Sequence, residues 1–224
     1  MNEYPQLDGG MQGCYIMYRT VGFFKIQGEC MRESKGEMTR NHILKTTRKL
    51  LVEKGFYNTA ISEIIEASGV KKGNLYYHFA SKEELGLAVL EDARDEFFAF
   101  LEKSFQGGDP IEKVISSCEA ILAEQKKNNF VGGCLFGNTA LEMSDNNDRF
   151  AVVINEVFSV WTDVLRSHFD EARQGEILLS PIPSRLLAKT VVAAIEGGIM
   201  MSRVRKNETD LVDCLQSLKI IMGR

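Results

Sequence analysis

From Thr39 to Ile221 apolar residues recur at spacings of three and four, segment after segment, and no stretch alternates with period two over a useful length. That pattern predicts helices packed on helices, so the expected fold class is all-α. "TRNHILKTTRKLLVEKGF" carries Ile43, Leu44, Leu50 and Leu51 at helical spacing, with Gly55 as a C-terminal stop. "TAISEIIEASG" repeats the pattern with Ile61, Ile64 and Ile65, and Thr59 is the expected cap. "VKKGNLYYHF" turns Val70, Leu75 and Phe79 inward. A helix of about six turns then opens at Ser81, whose spacing to Glu84 predicts a reciprocal capping box. "GGDP" breaks the chain and sets Pro110 in a first helical turn, where its missing N–H costs nothing. Further helices are expected over roughly 110–127, 134–144, 147–173, 184–205 and 208–221. The 147–173 segment bears Phe150, Ile154, Val157, Phe158, Trp161, Leu165 and Phe169 in one stripe.

Several function classes are disfavoured. The chain of 224 residues, 44% hydrophobic and 26% charged, has the balance of a soluble globular protein. No apolar run approaches the roughly 20 residues that a membrane-spanning helix needs. Five scattered cysteines (Cys14, Cys30, Cys118, Cys134, Cys214) form no CxxC or Cys/His cluster. This speaks against a disulfide framework or a metal site and for a reducing cytoplasm, with redox sensing by Cys134 a minor alternative. Three separated histidines (His42, His78, His168) join no Ser/His/Asp or HExxH arrangement, and no glycine loop is built to cradle phosphate. Neither an enzyme nor a cofactor is expected. Residues 1–38 hold six glycines and five methionines without clean periodicity, and are expected to be an upstream extension, with the natural start near Met31 or Met38.

Charge separates the chain into two parts. Between Thr39 and Lys82 there are eight Lys/Arg and three acids, a balance of +5 within an overall −4, which leaves −9 for the remainder. A basic segment on an acidic body is the footprint of a nucleic-acid-binding module attached to something else. Within that segment two short helices flank Ser68-Gly69, a helix-turn-helix arrangement in which Gly69 permits the positive φ of a steep turn. The second helix keeps Lys72, Gly73, Asn74, Tyr76 and Tyr77 on its outward face. Gly73 allows close approach to a duplex while its neighbours reach phosphates and base edges.

Residues 39–85 closely resemble the N-terminal domain of the TetR/AcrR family of transcriptional repressors. The resemblance rests on "ILKTTRKLLVEKGFYNTAISEIIEASGVKKGNLYYHFASKEEL", above all on Gly73-Asn74-Leu75-Tyr76-Tyr77-His78-Phe79 followed by Ser81-Lys82-Glu83-Glu84-Leu85. "GGCLFGNTALEMSD" looks like a stretch common in one branch of the family. The resemblance implies DNA contacts from Lys71, Lys72, Gly73, Asn74, Tyr76, Tyr77 and His78, and phosphate contacts from Thr59, Ser62 and Lys82. Tyr76 could instead mostly pack, and His78 could satisfy a helix-end carbonyl. Lys71 stands where many members have a small capping hydroxyl, which predicts a weaker cap.

The resemblance divides the chain into an extension (1–38), a helix-turn-helix DNA-binding domain (39–85) and a helical ligand-binding and dimerisation domain (86–224). Phe97, Phe100, Phe136, Met143, Phe158, Trp161 and Met200 are candidate linings for a hydrophobic small-molecule pocket, with Asn138 and Glu142 as its polar contacts. The alternatives are plain core for the apolar residues and solvent-facing positions for the polar pair. Ala193, Ala194, Gly197 and Gly198 allow close approach of a partner helix, as in a four-helix bundle between two copies, or serve packing within one chain. The implied function is a ligand-responsive repressor that binds a pseudo-palindromic double-stranded operator as a homodimer. The alternative keeps the fold and replaces the small molecule with a protein partner.

Overall fold

The structure, a computed structural model, describes residues 34–224. Most of the expected N-terminal extension, residues 1–33, lies outside the described residues. Its last five residues do not continue it. Ser34 and Glu37 form a reciprocal capping box: Ser34 Oγ accepts the Glu37 N–H at 3.2 Å and Glu37 Oε2 accepts the Ser34 N–H at 2.8 Å. The first helix, α1, therefore runs Lys35–Lys54, and it starts before the expected domain boundary at Thr39.

Eight more helices follow among the described residues, and no strand: α2 Ile61–Ser68, α3 Lys72–His78, α4 Lys82–Ser104, α5 Pro110–Lys127, α6 Leu135–Met143, α7 Asp148–Gln174, α8 Ser184–Arg205 and α9 Thr209–Ile221. The fold is all-α, with an N-terminal helix-turn-helix head and a C-terminal helical body. Local chemistry sets the boundaries. Gly55 ends α1 at φ 83°, a region that L side chains rarely enter. Asp109 Oδ1 caps α5 by accepting the Ile111 and Glu112 N–H groups at 2.8 and 3.0 Å, beside Pro110. Ser81 Oγ accepts the Glu84 N–H at 3.1 Å, as its spacing predicts. The expected return bond is not made, because Glu84 instead receives both arms of Arg149 on α7, at 2.5 and 3.3 Å. None of the described helices is long and apolar enough to cross a membrane.

Two apolar clusters fill the interior. One joins Ile43, Leu44, Ile64, Leu75 and Phe79 of the head to Leu85, Leu87, Val89, Leu90 and Ala93 on α4, Met143 on α6 and Phe150, Val153, Ile154 and Val157 on α7. The other joins α5, α7, α8 and α9 around Leu165, Phe169, Leu187, Val191 and Leu211. Phe97, Phe98, Cys134 and Phe158 pack against both. The expected boundary at residue 85 thus falls inside the continuous helix α4 and inside a continuous core. The head is not a module on a tether. It shares packing with the body, and burial of a Leu or Phe side chain at such a seam contributes about 1.5–3 kcal/mol.

Candidate nucleic-acid interface

The seven residues of α3 could not hold a helix alone, since nucleation outweighs so few backbone bonds. Leu75 (0% exposed) and Phe79 (4%) anchor it by burying against α1 and α2. The turn before it depends on Gly69, whose φ of 66° is left-handed and whose N–H closes α2 onto Ile65 O at 2.9 Å. Ser68 is buried, and its carbonyl accepts from His42 Nε2 of α1 at 2.9 Å with Nε2 as the donor. This bond ties the turn to the first helix. Lys71 occupies the N-cap of α3 without a side-chain cap bond, in line with the weaker cap predicted.

The outward side of α3 is what this scaffold presents. Lys71, Lys72, Gly73, Asn74, Tyr76 and Tyr77 are all exposed, Tyr77 by 82%. Neither Lys71 nor Lys72 joins an ion pair among the described residues, whereas Lys54 is paired with Glu63 at 2.5 Å and Arg48 with Glu96 at 2.5 Å. A Cβ built on Gly73 meets nothing within 4 Å, so no described neighbour requires glycine there. His78 is half-buried, edge-on to Tyr77 with ring centroids 5.1 Å apart. Ser62 is exposed on α2.

One expected phosphate contact is corrected by the geometry, and a second residue rests against its own head. Thr59 is fully buried and its hydroxyl donates to Gly55 O at 2.7 Å, which leaves it unable to reach a phosphate. Nor does it cap α2. Ala60 is the N-cap, and the Glu63 carboxylate covers its N–H at 2.8 Å. Lys54 beside Glu63, together with that N–H, holds the Glu63 carboxyl below its usual range. Lys82 turns back onto its own head, with Nζ 4.5 Å above the Phe56 ring and 3.4 Å from Tyr57 O.

The proposed ligand linings divide in the same way. Phe97 is the hub of an aromatic cluster, with centroids 6.4 Å from Phe100, 5.9 Å from Phe136 and 5.4 Å, edge-on, from Trp161. Phe158 packs at its border. Trp161 is 2% exposed, and its buried Nε1 meets no acceptor among the described residues. Met143 is buried further toward the head. Met200 is not a lining residue, since it is 57% exposed on the outer side of α8. Asn138 and Glu142 also lie elsewhere. Asn138 donates to Gly132 O at 2.7 Å and accepts from Arg203 Nη1 at 2.9 Å. Glu142 accepts the N–H groups of Phe56 and Tyr57. Both face a cleft of about 460 Å³ between head and body. Burial and the neighbouring Glu196 push the Cys134 thiol up, which keeps it protonated and argues against redox sensing there.

Two family descriptions match this chain. "Bacterial regulatory proteins, tetR family" covers residues 43–89, and "Transcriptional regulator LmrA/YxaF-like, C-terminal domain" covers residues 110–217. The chain belongs to the TetR family of transcriptional regulators. Its membership extends over both parts of the molecule. The HTH-type transcriptional regulator LmrA of Bacillus subtilis is 27% identical over 189 residues, which is 83% of this chain and 97% of that one. The HTH-type transcriptional repressor DhaR of a Mycobacterium strain is 25% identical over 178 residues, 77% of this chain and 86% of its own. A TetR transcriptional regulator from Chloroflexus aurantiacus superposes with a TM-score of 0.79 at 26% identity, covering 85% of this chain and 96% of that one. As a TetR-family protein the chain is a DNA-binding regulator of transcription, and α2 and α3 are its helix-turn-helix.

Proposed function

We propose that this TetR-family regulator is a cytoplasmic repressor that grips a pseudo-palindromic duplex operator as a homodimer and lets go when a hydrophobic small molecule enters its body. The observation that carries the reading is the outward side of α3. Exposed lysines, an asparagine and tyrosines surround a glycine that no internal contact requires. In this reading Lys71 and Lys72 hold phosphates, Asn74 and Tyr77 reach base edges, Gly73 lets the backbone come close, and Tyr76, His78 and Ser62 flank the contact.

Two copies are supported by α8. Leu186, Thr190, Ala193, Gly197, Met200 and Val204 follow one another at spacings of three and four, and except for half-buried Gly197 all are exposed. A Cβ on Gly197 would meet nothing within 4 Å. Gly198, also expected at the junction, serves packing within the chain, because its missing Cβ would lie 2.9 Å from Leu211 Cδ1 of α9. The ligand reading is supported by Trp161 Nε1. A buried donor without an acceptor is unfavourable by about 1–3 kcal/mol, and a hydrophobic compound bearing a hydrogen-bond acceptor would relieve it. Such a ligand shifts the heads only through a difference in affinity between two conformers. The name of the Mycobacterium relative, a repressor, supports the sign of regulation.

Selection of tight-binding duplexes from a random pool, followed by backbone footprinting, tests the reading. The expected result is two protected half-sites about one helical turn or slightly more apart. A single unsymmetrical half-site bound by one chain would refute it.

A further inference from the structure

The turn between α1 and α2, residues 55–60, is held by a carboxylate more than eighty residues away. Glu142, in the last turn of α6, accepts the Phe56 N–H at Oε2 (2.7 Å) and the Tyr57 N–H at Oε1 (2.6 Å). One carboxylate thus receives two consecutive backbone donors, the charge-assisted geometry that orients as well as binds. The chain makes room for it. Gly55 has the positive φ of 83°, and a Cβ there would lie 2.8 Å from Glu142 Oε2.

The same turn is gripped from other elements. Phe56 meets Phe150 of α7 edge-on at 5.2 Å, and packs over Gly86 of α4, where an added Cβ would come within 2.5 Å of its ring. Lys82 Nζ lies over that ring as well, 4.5 Å from its centroid. From this turn α2 departs, and through α2 the angle of α3 is set. At the opposite end of the nine-residue helix α6, Phe136 is buried against Phe97, and one turn before Glu142 the helix is fastened to α8 through Asn138 and Arg203. A rigid helix whose one end sits in the aromatic cluster and whose other end holds the head cannot shift without moving the head.

We infer that Glu142 is a positioning residue for DNA binding: its carboxylate fixes the orientation of the helix-turn-helix relative to the body, and losing the clasp leaves a folded head wrongly aimed. Glu142 touches no DNA in this account, and its effect runs through the backbone of Phe56 and Tyr57.

The test uses the full chain with Glu142→Gln, Glu142→Ala, and Leu141→Ala as an exposed neighbouring control. Three quantities are read: amide hydrogen exchange at Phe56 and Tyr57, melting temperature, and affinity for two duplexes. One duplex is selected from a random pool by the wild-type chain, and the other is an unselected sequence of equal length. For Glu142→Ala the expected result is exchange faster by about tenfold at the two amides and affinity for the selected duplex weaker by about tenfold. Affinity for the unselected duplex, which depends mainly on charge, should stay within about twofold of wild type, as should both affinities of Leu141→Ala. Glu142→Gln keeps one acceptor oxygen and should fall between. Unchanged exchange at Phe56 and Tyr57 would overturn the clasp. Faster exchange with unaltered affinity for the selected duplex would overturn the positioning role. A parallel fall in melting temperature and in affinity for both duplexes would overturn it too, since that pattern is simple unfolding.

Discussion

The outward face of α3 and the outer stripe of α8 are built on one geometrical plan and differ in chemistry. Each is a helix face with exposed side chains, and each carries a glycine, Gly73 or Gly197, whose added Cβ would touch nothing. Around Gly73 stand Lys71, Lys72, Asn74 and Tyr77, and around Gly197 stand Ala193, Met200 and Val204. Glycine in a helix interior such as that of α8 is unfavourable by about 1 kcal/mol relative to alanine, and in the first turn of α3 no internal contact requires it, so at neither site is it explained by the folded chain alone. Close approach by something outside the chain explains both. Cations and hydrogen-bonding groups suit a polyanion with patterned edges, whereas an apolar stripe suits a second copy of itself.

The largest expected effect comes from breaking the apolar face. Gly197→Arg should convert the proposed dimer to monomer by analytical ultracentrifugation and weaken operator affinity about a hundredfold or more, since two linked half-sites become independent. Melting of the monomer should remain cooperative, because Gly197 serves no internal contact. A dimer that survives this change would place the contact between copies elsewhere.

Gly73→Ala sharpens the comparison with a smaller effect and a split in sign. The folded chain should be unchanged or gain roughly a few tenths of a kcal/mol in denaturant titrations, since Gly73 lies in the first turn, while duplex affinity falls by about tenfold because a methyl group now separates helix and DNA. If stability and affinity rise together, α3 does not approach its partner through that face.

The smallest effect distinguishes two buttressing carboxylates by their pH dependence. Glu63 in the head is held low by Lys54, so its contribution is present above the usual carboxylate range and disappears as pH falls through its lowered value. Glu196 in the body is pushed up by burial, so its charged form is disfavoured, and the penalty shrinks as pH falls. Glu63→Gln should therefore melt slightly below wild type at neutral pH and converge with it in acid. Glu196→Gln should match or exceed wild type at neutral pH and lose that advantage in acid. Thermal melts across the acid range check both signs.

Much of the fold is legible in sequence because helical period and punctuation are local properties. The helices over 110–127 and 184–205 appear where the pattern predicts them, one opened by Asp109-Pro110 and the other by Pro183. The start of α1 was equally local, since Ser34 and Glu37 stand at capping-box spacing within a stretch whose other features suggest no structure. What a single helix pattern cannot convey is which way a polar residue points once another part of the chain arrives. Asn138 and Glu142 read as pocket polarity on α6, yet their partners are Arg203, Gly132, Phe56 and Tyr57. Met200 shares a helix with core residues and still faces outward, because the apolar arc of α8 is wider than α7 and α9 cover. Thr59 looks like a cap, but Glu63 already satisfies the first donor of α2 and the hydroxyl is drawn to Gly55 O. Trp161 was legible as an aromatic. Its lack of an acceptor was not.

If α3 grips a duplex with Lys72 on a phosphate, the salt dependence of binding is the most direct measure of that grip. Lys72→Ala should weaken binding to the selected and to an unselected duplex alike, and should flatten the plot of log affinity against log salt by about one unit per chain. An unchanged affinity and slope would contradict the assignment of this face to DNA.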